Sequence, residues 1–163
     1  MNESITVDGH ILHRIRALRN FATVKPGDLG GYIESESNLS HEGNCWAYDD
    51  AQVYENAHVY EDAWVCENSQ VSGNAKMGGY SEARGYTRIY GNARVYGDIA
   101  VCEEAHIYGD AHVEIACDDG LSYIYIGGCT KIDHGIWTHE AIKIDGKWYL
   151  ISSTLEKVLL SFK

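Results

Sequence analysis

Four side chains that could grip an anion recur at intervals of eighteen residues: His58, Lys76, Arg94 and His112. If the chain turned once per eighteen residues they would stack as a basic ladder. Such a ladder could hold a nucleotide phosphate through charge-assisted hydrogen bonds, with tyrosine rings stacking on a base. A second series at the same interval is Gln52, Gln70, Arg88 and His106, with Tyr54, Tyr90 and Tyr108 two residues after three of its members. Tyr96 follows Arg94 in the same way. A third series begins with Trp46 and Trp64, with Tyr48 beside the first, and continues to Glu82 and Arg84. The tryptophans and Tyr48 are candidates for partner binding, since aromatic anchors dominate many interfaces. Two other readings compete with these. The ladder could neutralise acidic corners or pair across an oligomer interface, and the tryptophans could lie under a cap or a sister subunit.

Stacking at eighteen requires an element with that period, and the chain has one. From Asn38 it divides into sixes: NLSHEG, NCWAYD, DAQVYE, NAHVYE, DAWVCE, NSQVSG, NAKMGG, YSEARG, YTRIYG, NARVYG, DIAVCE, EAHIYG, DAHVEI. Thirteen units run to Ile115 without an insertion. Position two is small in most units (Ala51, Ala57, Ala63, Ser69, Ala75) and position four aliphatic (Val53, Val59, Val65, Val71, Met77). Residues two apart on a strand share a face, so both point inward. Positions six and one are mostly Gly, Asn, Asp or Glu, the residues of tight corners. A short strand and a corner, repeated, describe an all-β solenoid.

The spacing of an aliphatic residue followed four later by a small one resembles the hexapeptide repeat of left-handed parallel β-helices. The resemblance implies three hexapeptides per coil, so thirteen units make a little over four coils. Coils stack at about 4.8 Å. The solenoid spans 38–118, with an N-terminal β-hairpin cap over 1–37 and a C-terminal α+β cap over 119–163. The open ends need such caps. ITVDGHILHRI reads as a hairpin around Asp8-Gly9 and AIKIDGKWYLI as another around Asp145-Gly146. LSYIYIGG is strand-like, and a capping-box pattern from Ser153 to Glu156 opens a short helix, TLEKVLLSF.

More closely, ILHRIRALRNF, VKPGDLGGYIESESNLSHEGNCWAYDDAQVY and the NAxVYG units resemble a hexapeptide-repeat family common in bacteriophage and prophage genomes, labelled only as phage-related or transferase-like. That resemblance implies a viral or prophage source and brings no agreed catalytic residues. Hexapeptide β-helices are best known as acyltransferases acting as homotrimers, with sites between subunits and a histidine as general base. His58, His106, His112, His134 and His139 are the candidates here. Such enzymes usually project a loop from the coils, and none interrupts 38–115.

Composition narrows the field. The 163 residues carry 24 acidic and 13 basic side chains, a net charge of −11. Between 38 and 118 there are 14 acidic and 4 basic residues, so 4 − 14 gives −10 and most of the charge lies on the solenoid. Phosphate would be repelled, which disfavours direct nucleic-acid binding. Rows of carboxylates at Asp49, Asp50, Glu67, Glu103 and Glu104 suggest instead an acidic nucleic-acid mimic as one alternative. Five cysteines without a CxxC pair fit a reducing cytosol. No apolar run is long enough to span a bilayer, and MNESITVDGH lacks the pattern of a signal peptide. There is no phosphate-binding glycine loop, GxSxG or HExxH motif. No cofactor or metal site is expected, and no catalytic residue stands out.

The expectation is a non-enzymatic phage protein in the cytoplasm of a host bacterium. It would antagonise antiviral defence by sequestering an anionic nucleotide signal or by blocking a host defence protein. Its ligand-binding residues would be His58, Lys76, Arg94, His112, Arg88, His106, Tyr90, Tyr96 and Tyr108. The alternatives are a hexapeptide-repeat acyltransferase and the acidic mimic.

Overall fold

The six-residue period is realised as a three-faced parallel β-solenoid in a computed structural model. The structure describes residues 3–114, 124–137, 141–144 and 147–150. The first face stacks Leu29–Ile33, Gln52–Val53, Gln70–Val71, Arg88–Ile89, His106–Ile107 and Lys131–Ile132. The second stacks Leu39–Gly43, His58–Glu61, Lys76–Gly78, Arg94–Tyr96, His112–Glu114 and Ile136–Trp137. The third stacks Trp46–Ala47, Trp64–Val65, Glu82–Ala83, Ile99–Val101 and Ile124–Ile126. Most of these strands have two or three residues. Strand amides reach carbonyls one coil away, as His58 N does to Ala75 O at 2.9 Å, while the position-two amides close the corners, as Ala57 N does to Tyr54 O at 3.3 Å.

The inward positions behave as their size and polarity require. Position four (Val53, Val59, Met77, Ile89, Val95, Ile107) and position two (Ala51, Ala57, Ala75, Ala93) are buried in one continuous core. Where position two is polar, the hydroxyl is satisfied within the wall. Ser69 Oγ donates to Cys66 O at 2.6 Å and Thr87 Oγ1 to Arg84 O at 2.8 Å. Burial of this aliphatic column, at roughly 25 cal/mol per Å² of apolar surface, is the main term holding the coils together.

The corners follow a second rule. Position six has positive φ at twelve successive units, from Gly43 (81°) to Gly109 (63°). Glycine fills seven of these and accepts the conformation without strain. Asp49, Glu55, Glu61, Glu67 and Glu103 fill the other five. Four of those carboxylates turn along the axis to the amide of the corner one coil on. Glu61 Oε2 accepts from Gly79 N and Glu67 Oε2 from Gly85 N, each at 2.9 Å. Glu55 serves Gly73, and Glu103 serves Gly128, in the same way. Beside them at position one runs a side-chain ladder, in which Asn56, Asn74 and Asn92 each donate to the next member, ending at Asp110 Oδ1.

Position five packs by alternation. A large side chain leans over a small one in the next coil. Tyr60 lies over Gly78, where an added Cβ would meet the ring at 2.3 Å. Arg84 Nε donates to Cys102 Sγ at 3.1 Å. Cys66 and Cys102 are thus spacers. Burial pushes the Cys66 thiol up to about 12 and raises that of Cys102, so neither is a thiolate nucleophile.

The ends differ from the expected boundaries. At the N-terminal end, Ser4–Val7 and His10–Arg16 form the hairpin, with Asp8 (φ 49°) and Gly9 (φ 90°) at its turn. Leu29–Ile33 pairs antiparallel with that hairpin and parallel with Gln52–Val53, so the first face begins before residue 38. Asn38 closes this end: the residue is fully buried, and its Nδ2 donates to Glu55 O at 3.1 Å and to Ala57 O at 2.9 Å. At the other end the coils run past residue 118. His106 pairs with Lys131 and Ala100 with Tyr125, an interval of 25 rather than 18. The chain therefore takes 25 − 18 = 7 extra residues after Glu114 and then completes another coil. Ala141–Ile144 and Lys147–Leu150 form the expected antiparallel hairpin beyond it. The expected helix TLEKVLLSF lies outside the described residues.

Candidate functional site

The second face brings His58, Lys76, Arg94 and His112 into direct register on neighbouring strands. Position three points outward, so the strands that build the core also align the ladder. Its four members are not equivalent. His58 Nδ1 is 2.7 Å from Ser37 O, and its ring stacks on Tyr60 at 5.6 Å, which ties it to the N-terminal end. His112 Nε2 lies 3.2 Å from Glu114 Oε2. Lys76 and Arg94 are exposed and form no ion pair among the described residues. They line an open groove with Asn74, Asn92, Asp110 and His112. Asp110 is the one carboxylate among the described residues that line the groove, and its Oδ1 accepts from Asn92.

Beside the cations runs an aromatic row on the same face. Tyr60 and Tyr96 stack at 6.3 Å and 24° across Gly78. Burial raises the Tyr60 hydroxyl above its ordinary range, so it stays a neutral donor. Tyr60, Gly78 and the asparagines were absent from the residues singled out by sequence. The signal for Tyr60 was the glycine eighteen residues on, Gly78, which leaves room for a ring.

The first face aligns Gln52, Gln70, Arg88 and His106 in register, and adds Lys131. Gln70 Nε2 donates to Gln52 Oε1 at 3.0 Å, so the upper half is self-satisfied. Tyr90 and Tyr108 lie parallel at 5.1 Å. Tyr54 does not join them: it is buried against Leu12 and Tyr32 of the N-terminal end. Burial, together with Arg88 and Lys131, holds the His106 imidazole below its ordinary range.

On the third face Trp46 and Trp64 are paired in register, but their rings have different neighbours. Phe21 covers Trp46 edge-on at 5.3 Å, and Ala17 and Val24 complete the cover. Trp46 is therefore buried under the N-terminal end, the covered alternative of its two readings, and is not available as a partner anchor. Trp64 and Tyr48 stay half-buried and meet at 5.5 Å. Of the carboxylate rows, Glu67 and Glu103 are engaged by backbone amides, and Asp50 by Arg14 at 3.1 Å. No group of His, Cys, Asp or Glu among the described residues could hold a metal ion. His139 lies outside the described residues, and His134 sits beside Asp133.

Fold and faces together define a parallel β-solenoid of hexapeptides. Residues 88–103 match a family model described as YdcK beta solenoid repeat. Over 43 residues the chain is 42% identical to the uncharacterized acetyltransferase YdcK of Escherichia coli (strain K12). Those residues are 26% of this chain, and the match spans 13% of that relative.

Proposed function

We propose that this is a non-enzymatic binding scaffold whose second face takes an anionic ligand of the nucleotide class. The observation that carries the reading is the pair Lys76 and Arg94, one coil apart, aligned by the sheet and paired to no carboxylate among the described residues. Two cations about 4.8 Å apart at the backbone suit one phosphate. Tyr96 and Tyr60 flank them with a surface for a base. In the setting implied by the phage resemblance, the protein would act as a homotrimer in the cytoplasm of a host bacterium. There it would sequester a nucleotide signal or block a host defence protein. Calorimetry against a panel of cyclic nucleotides tests this. Lys76→Glu/Arg94→Glu should weaken binding by roughly tenfold or more, about 1.4 kcal/mol. Binding unchanged by that double substitution would remove the proposed site.

Acyl transfer is the second reading, and one comparison favours it: a matched relative bears the name acetyltransferase. His106, kept neutral, would be its general base. Binding of acetyl-coenzyme A, lost in His106→Ala, would support this reading over the first.

A further inference from the structure

We infer that the first face carries a second, separate ligand site, formed by Arg88, His106 and Lys131 with the Tyr90–Tyr108 stack, for a flat aromatic ring bearing one phosphate or carboxylate. It does not depend on the second-face groove, because its side chains lie on a different sheet.

The register sets three basic side chains on consecutive strands, Arg88 beside His106 and His106 beside Lys131. Arg88 and Lys131 are exposed, and neither forms an ion pair among the described residues. Both act on the imidazole between them, against the opposing charge of Glu104. Their fields therefore converge on one place.

The tyrosines break the packing rule of position five. Elsewhere Tyr48 precedes Cys66, Tyr54 precedes Ser72, Tyr60 precedes Gly78 and Arg84 precedes Cys102, a large side chain over a small one. At Tyr90 and Tyr108 two large rings follow each other and lie parallel, 7° apart, half-buried. His106 meets Tyr90 edge-on at 6.2 Å, so the rings adjoin the cations. The alternation also lapses where Tyr96 is followed by Glu114, but at Tyr90 and Tyr108 the two large side chains are rings that stack on each other one coil apart. Departures from a repeated rule are where function concentrates. A ring extending this stack would bring its anionic group to Arg88 and Lys131, and the His106 imidazole would supply a neutral hydrogen-bonding partner.

The test uses the full chain carrying Lys76→Glu/Arg94→Glu, which removes the second-face cations, and AMP as probe. Adenosine and inorganic phosphate separate the ring from the charge. AMP is expected to bind in calorimetry, with saturation transfer to its base protons. Adenosine and phosphate alone should bind at least roughly tenfold more weakly. Adding Arg88→Glu or Tyr108→Ser should abolish the AMP signal, while Tyr108→Phe, which keeps the ring, should retain it. An unchanged urea midpoint in each variant confirms that the fold is intact. No AMP binding at millimolar concentration in the double variant would overturn the proposal. So would AMP binding indifferent to Arg88→Glu and Tyr108→Ser, or phosphate binding as well as AMP.

Discussion

The corners and the second face treat charge in opposite ways. At position six, the carboxylates of Glu55, Glu61, Glu67 and Glu103 each accept a backbone amide from the next coil. On the second face, Lys76 and Arg94 are aligned just as strictly, and their side chains form no hydrogen bond or ion pair among the described residues. One set of charges closes the wall, and the other has no structural duty. Acidity of the solenoid is thus largely an architectural property, which weakens its reading as nucleic-acid mimicry. The few cations left over are where a ligand would be recognised. Corner substitutions should therefore change stability and spare binding, and face substitutions should do the reverse.

The largest effect is expected at a glycine corner. Gly79 has φ 69°, and an added Cβ would sit 2.6 Å from Gly97 N. Gly79→Ala should cost about 2–4 kcal/mol through backbone strain and the clash, read as a lower urea midpoint. An effect under about 0.5 kcal/mol would show that the coils yield easily there.

Next come the acid corners. Glu61 already holds positive φ at 57°. Glu61→Ala keeps that strain and loses the bond to Gly79 N, for an expected loss of about 1–2 kcal/mol. Glu61→Gly loses the same bond but relieves the strain, so it should be nearly neutral. Equal losses in the two variants would mean that strain and capping do not offset each other.

A smaller effect concerns the clasp between the N-terminal hairpin and the first coils. His10 Nδ1 lies 2.9 Å from Glu34 Oε1, and its Nε2 lies 3.6 Å from Glu55 Oε1. Glu34 raises the imidazole above its usual 6.5. His10 and the Glu55 amide in turn lower the Glu34 carboxyl below 4.5. A raised histidine contributes fully below 6.5 and loses its contribution as pH rises through the raised value. A lowered carboxyl contributes above 4.5 and loses its contribution as pH falls through the lowered value. The clasp is thus strongest between those limits. In His10→Ala the melting temperature should lack the decline that the parent shows as pH rises above 6.5. An identical pH profile in both proteins would contradict the clasp.

Much of this was legible in the sequence because the hexapeptide count is a geometric constraint. The inward columns, the corner residues and the Asp8-Gly9 turn follow from period, size and φ preference alone. Three features did not. The coil at 124–137 was hidden because the interval jumps from 18 to 25 after Glu114, which breaks the register that identified the rest. The burial of Trp46 depends on Phe21, Ala17 and Val24 folding back from a segment without a repeat. The role of the corner glutamates was invisible because their partners are backbone amides one coil away, and a backbone amide carries no letter. On the faces, the ladders were readable by counting eighteens. Which rungs were already engaged, as His58 is by Ser37, required coordinates.

The most direct test measures two quantities on one variant: the urea midpoint and the nucleotide affinity of Lys76→Glu/Arg94→Glu. Both side chains are exposed and unpaired among the described residues, so the midpoint should stay within about 0.5 kcal/mol of the parent. Affinity for the cyclic nucleotide proposed to bind the second-face groove should fall by roughly tenfold or more. A lowered midpoint with affinity intact would show that these cations belong to the wall after all, and would contradict the division between structural corners and a binding face.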